Sequence, residues 1–286
     1  MEKSSEDQFY TQDGLDWLKQ RTRPTNWYDI EPDDDIHEGV LGSFRTLVHM
    51  FQISFGPEIR RRLEAGRLTE PVNLFALQQL QEPDQPPIVR INGEVRGVPL
   101  IKVDRPIEAG GQVLLSDLKN LVSFDVEVSE IDCGHFTAFW TGDSWVYAFD
   151  FRNGRGKAAE HLKCALEFLD TAEAAAKLGN IRPSIDNLFS ASELVAKARL
   201  ILHSQKTART KSHGTVKSEL NRWGKLGNVD GDFVRVYNKY YGLRNPARYD
   251  PTVAVACPED EEFRQVRSEI EDLMKAVAHR DASNLH

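Results

Sequence analysis

An unbroken apolar seam, Leu188, Ala191, Val195, Ala198 and Leu202, recurs at spacings of three and four and constrains this chain most strongly. Residues so spaced share one face of a 3.6-residue helix, and that face must be buried against other helices. The surrounding sequence supplies them. A stripe of Leu162, Ala165, Leu166, Leu169, Ala172 and Ala176 precedes a stop at Gly179-Asn180. Ser212 is placed to N-cap a short helix. Two further stripes follow, one of Phe233, Val236, Tyr237 and Tyr240 or Tyr241, the other of Phe263, Val266, Ile270, Leu273 and Val277. Residues 156–286 therefore read as an all-helical bundle.

The first half has different periods. Residues 1–35 lack a sustained apolar period and close on Glu31-Pro32-Asp33-Asp34-Asp35, the composition of an acidic, partly disordered arm. No spaced ligands follow the Asp triplet, so it does not read as a cation site. From Ile36 the pattern turns helical through Val40, Phe44, Leu47, Val48 and Phe51, and a second helix is expected over 57–65 with Pro57 in its first turn. Asn92-Gly93 between alternating residues predicts a hairpin over 88–96. A strand is expected over 124–128, and a second, aromatic hairpin is expected to turn at 141–144. The fold class is thus α+β with two domains: a mixed helix and antiparallel β region over 36–155, then the bundle. The junction at Arg152-Asn153-Gly154-Arg155-Gly156 lacks the full phosphate-loop pattern and reads as a flexible linker.

At 286 residues the chain can bury two cores. No apolar run is long enough to suggest a membrane span, and the three widely separated cysteines fit neither a zinc site nor a disulfide framework. A cytoplasmic protein with no membrane partner, no cofactor and no metal is expected. The net charge of −8 conceals an asymmetry. Between residues 197 and 248 twelve Lys and Arg face three acids, whereas residues 1–38 carry eleven acids and four bases. A basic block of this kind suits a polyanion or the chain's own acidic arm.

Within that block, Leu243-Arg244-Asn245-Pro246-Ala247-Arg248-Tyr249 brings two guanidiniums and a phenol into one short stretch. Gly242 is expected to end the preceding helix and Pro246 to keep Asn245 out of helical geometry, leaving Arg244 at a break. Planar, permanently charged arginines suit a phosphate or carboxylate ligand, and they suit carbonyls and acids of their own bundle equally well.

The segment resembles the Arg-x4-His signature of the HEPN superfamily, with Arg244 and Asn245 matching and Tyr249 standing in the place of the histidine. The similarity spans about residues 157–250, with 188–198 resembling the second HEPN helix and 212–216 the start of the third. It implies a homodimer and a metal-independent ribonuclease site in which arginine and histidine act on an RNA phosphodiester. A histidine suits proton exchange at neutral pH and an arginine stabilises charge on phosphorus. A phenol, with an unperturbed pKa of about 10, is a donor and not a ready base. The resemblance therefore implies an RNA-binding or regulatory protein, of a prokaryotic defence or toxin–antitoxin kind, with an impaired site. An active endoribonuclease is the alternative, with Arg244 on the phosphorane, Arg248 and Lys211 on phosphate, and Tyr249 or His213 carrying protons. A third reading is a dimeric scaffold whose N-terminal domain meets a protein partner. Glu193 and Ser192 sit beside the seam, where they could point to Arg244 or, for Glu193, pair with Lys197 four residues on.

Overall fold

The computed structural model describes residues 38–82, 85–103, 105–106, 114–142, 144–203 and 212–279, with side chains from residue 49 onward except at 115 and 116. The expected acidic arm, its Asp triplet and Lys211 lie outside the described residues, as do the side chains of Val40, Phe44, Leu47 and Val48. The chain forms α1 (Glu38–Glu64), β1 (Ala76–Gln81), β2 (Ile88–Ile91), β3 (Val98–Ile101), β4 (Leu121–Asp125), β5 (Gly134–Trp140) and β6 (Trp145–Asp150). Five helices follow: α2 (Arg155–Lys177), α3 (Ile181–His203), α4 (His213–Lys225), α5 (Gly231–Tyr249) and α6 (Asp260–Val277). No described helix is long and apolar enough to cross a membrane.

The N-terminal half has three layers. A fully antiparallel sheet, ordered β2-β1-β5-β6, lies between α1 and the two-stranded β3-β4 sheet. Successive residues of a strand point to opposite faces. Leu77 and Ala138, paired across β1 and β5, face α1 with Phe51, Phe55 and Ile59, while Ala76 and its partner Phe139 face Phe124 of β4.

Two expectations here are corrected. One helix replaces the two expected around Pro57, because Pro57 and Ile53 both lie on the exposed face and the carbonyl that loses its donor points to water. Asn92-Gly93 does not turn a hairpin. It lies in a 3₁₀ turn after β2, which pairs with β1, while the chain moves on to the other layer. Asn92, at φ 55°, instead bridges elements: its Oδ1 accepts from Phe75 N at 2.9 Å and its Nδ2 donates to Asn73 O at 2.8 Å. The aromatic hairpin forms as expected, β5 to β6 around Thr141–Ser144, with Trp140 opposite Trp145. Phe149 and Phe151, however, stack on each other in solvent and do not join the core.

The helical half is built on the seam. Leu188, Ala191, Val195, Ala198 and Leu202 are all buried between α2, α5 and α6, whose own stripes complete a single core. Polar ties cross it. Tyr240 donates to Glu262 at 2.5 Å, joining α5 to α6, and Ser212 N-caps α4 by accepting from Thr215 N.

The junction is not a loose linker. Arg155 is 1% exposed and forms a bidentate ion pair with the equally buried Asp125, its Nη1 2.9 Å from Oδ2. Gly154 takes φ 64°, and a Cβ there would stand 2.6 Å from Ile201 Cγ2, so the tight approach of β6 to α3 requires glycine.

Candidate functional site

Arg244 does not stand at a break. Helix α5 continues through Gly242 and Pro246 to Tyr249. Proline removes one hydrogen bond, to the carbonyl four residues back, and that residue is the exposed Gly242, where water can take the carbonyl. The carbonyls at the helix end are gathered by one side chain. Arg182, at the start of α3, donates to Pro246 O at 3.1 Å, Ala247 O at 3.0 Å and Asp250 O at 2.9 Å, and also to Pro251 O and Val253 O. Ala247 O is one of the orphan acceptors of the helix end, Pro246 O accepts from Asp250 N as well, and the other three carbonyls lie just beyond the helix.

Helical geometry then decides which side chains meet. Arg248, four residues after Arg244, lies on the same face, whereas five residues turn Tyr249 about 140° away. Tyr249 is 72% exposed, its ring 5.9 Å from the Arg248 guanidinium carbon, and Asn245 is exposed beside it. Neither is brought to Arg244.

His213 is. Its Nε2 lies 3.4 Å from Arg244 Nη1, and its Nδ1 makes a short contact with Glu193 Oε1. Three helices supply the three groups: Glu193 from α3, His213 from the first turn of α4 and Arg244 from α5. Arginine can only donate, so a hydrogen bond between them requires Nε2 to accept, and in a neutral ring that leaves the proton on Nδ1, directed at the carboxylate. Glu193 is 9% exposed and His213 44%, so the carboxylate anchors from inside while the imidazole reaches solvent. The Lys197 ammonium also stands 3.7 Å from Glu193. Ser192 turns back to its own helix, donating to Leu188 O at 2.7 Å, and takes no part.

Two residues not singled out in the sequence complete the arrangement. Phe189, 1% exposed, lies under the site: the Arg244 guanidinium carbon is 5.0 Å from its ring centroid, and the His213 ring meets it edge-on at 6.1 Å. Asp186 lies 3.6 Å from Nε of both Arg244 and Arg248, close enough to balance charge and too far for a hydrogen bond. Asp186 and Glu193 are seven residues apart, two turns on one face of α3, and that spacing was the available signal.

Among the described residues, several cations of the basic block are paired internally. Arg199 pairs with Glu269, Arg222 with Glu219, Arg235 with Asp232 and Lys239 with Glu262. The cluster that remains offers an oriented proton acceptor next to a guanidinium held by a carboxylate and an aromatic face, a pairing suited to an anionic ester. No family model matches the chain, and no curated protein or solved structure compared with it is significantly similar.

Proposed function

We propose that the helical half is a HEPN-like bundle acting on RNA, and that it is a metal-independent endoribonuclease whose proton carrier is His213. The observation that supports this reading is the 3.4 Å approach of His213 Nε2 to Arg244 Nη1 with Glu193 behind the ring. It supplies, from another helix, the imidazole that the sequence motif lacks at position 249. This favours the active site over the impaired one.

In the proposed reaction, Nε2 takes the proton of the 2′-hydroxyl. The O2′–phosphorus bond forms as the phosphorus–O5′ bond breaks, and the same imidazole returns the proton to O5′, leaving a 2′,3′-cyclic phosphate and a 5′-hydroxyl. Arg244 holds the charge on the non-bridging oxygens, and Glu193 stabilises the transient imidazolium. Arg248 contributes phosphate affinity. The test is incubation of the purified protein with single-stranded RNA and its all-deoxy counterpart in EDTA. Cleavage of the RNA alone, lost in Arg244→Ala, is expected. RNA retained at low salt yet left intact would support the binding-only reading instead.

A further inference from the structure

Beside the Arg244–His213 pair lies a second cationic and aromatic feature that the proposed chemistry does not use. Lys217 follows His213 by four residues on α4, and Tyr241 precedes Arg244 by three on α5, so each shares a face with a member of the pair. The Lys217 ammonium stands 4.2 Å from the centroid of the Tyr241 ring. That ring meets Phe189 edge-on at 6.0 Å, and Phe189 therefore supports Arg244, His213 and Tyr241 together. Lys217 and Tyr241 are both half-buried. Unlike the paired cations around it, Lys217 has no carboxylate within ion-pair distance among the described residues, and the Tyr241 hydroxyl makes no hydrogen bond to them.

We infer that Lys217 and Tyr241 form a subsite for the nucleotide next to the scissile phosphate, with Tyr241 stacking its base and Lys217 holding its phosphate. The inference rests on the RNA-directed reading above and specifies the substrate as single-stranded. An aromatic face of this kind takes any base that is free of its own stack, and a base inside a duplex cannot reach it. A lysine resting on a ring is a mobile point charge, able to leave the π-face for a phosphate oxygen.

The experiment is binding of a labelled single-stranded, all-deoxy oligonucleotide, which cannot be cleaved through O2′, and of its duplex, alongside RNA cleavage. The single strand is expected to bind more tightly than the duplex. Tyr241→Leu should weaken it by roughly 5- to 150-fold, the range that loss of one stacked base represents, while Tyr241→Phe stays close to wild type. Lys217→Ala should reduce the log–log salt slope by about 0.7. Melting temperatures are recorded in parallel, and if the leucine variant does not fold, Lys217→Ala carries the test. Single-strand binding unchanged in Tyr241→Leu and Lys217→Ala, beside cleavage that Arg244→Ala abolishes, would overturn the subsite and leave the ribonuclease standing. Absence of both binding and cleavage by the wild type would overturn the two together.

Discussion

The imidazole at 213 and the phenol at 249 are separated by their surroundings more than by their chemistry. His213 has a carboxylate on one nitrogen and a guanidinium at the other, whereas Tyr249 projects from an exposed helix end. Introducing histidine at 249 is accordingly expected to add little to cleavage, although the motif alone suggests it should restore it; measured rates for Tyr249→His check this. A second histidine bears on stability. Burial pushes the His135 pKa down to about 4 against the pull of Asp150 and Asp125, while Nδ1 stays 3.1 Å from Thr137 Oγ1. The unfolded chain binds this proton near pH 6.5 and the folded chain only near pH 4, so folding loses stability as pH falls through that window. Relative to His135→Gln, wild type should lose up to about 3 kcal/mol between pH 7 and 4, read from urea titrations at each pH. A constant difference would refute a buried neutral imidazole. At this scale the sequence named His213, Glu193 and Arg244 but could not rank them, because their convergence depends on how three helices pack. Asp186 and Phe189 went unnoticed for the same reason: each looks like an ordinary member of an amphipathic helix.

Helices with a regular apolar period were legible to within a few residues, and the seam of α3 is fully buried as its spacing requires. Val195→Asp should lower stability by about 3–5 kcal/mol, since a carboxyl in that core finds no partner even when protonated. An unchanged melting temperature for this variant would contradict the seam. Where reading failed, a local signal lost to a distant one. Gly242 and Pro246 mark a helix end in isolation, but the carbonyl that Pro246 orphans is that of the exposed Gly242, and Arg182, some sixty residues earlier, ties carbonyls at the end of α5 to the start of α3. Asn92-Gly93 marks a hairpin in isolation, yet the better partner for β2 was β1, which precedes it. Pro57 ends no helix because its orphaned carbonyl faces water. Periodicity reports the burial of a face, and it carries no information on which long-range donor meets which acceptor.

Across the whole molecule, the buried Arg155–Asp125 pair fastens the β layers to the bundle. It is assisted by Arg152, which donates to Ala276 O at 2.5 Å, and by His279, which lies 2.7 Å from Val126 O. Removing one charge strands the other in the interior, so Asp125→Ala should cost about 3–5 kcal/mol, and Asp125→Ala with Arg155→Met should recover much of it in equilibrium unfolding. The same completeness within one chain extends to the site. Glu193, His213 and Arg244 converge in a single copy, so a dimer with its α5 ends facing one another would carry complete sites and not shared ones. Mixing His213→Ala with Arg244→Ala protein should then restore no cleavage, and recovery of activity in the mixture would place the working site between subunits. The central claim is that His213, and not the motif position 249, carries the proton. Initial rates of single-stranded RNA cleavage in EDTA test it most directly, compared for wild type, His213→Ala and Tyr249→Phe at matched concentration. We predict a loss of about 10²–10⁴-fold in His213→Ala with Tyr249→Phe close to wild type. Cleavage that survives His213→Ala and disappears in Tyr249→Phe would contradict the account.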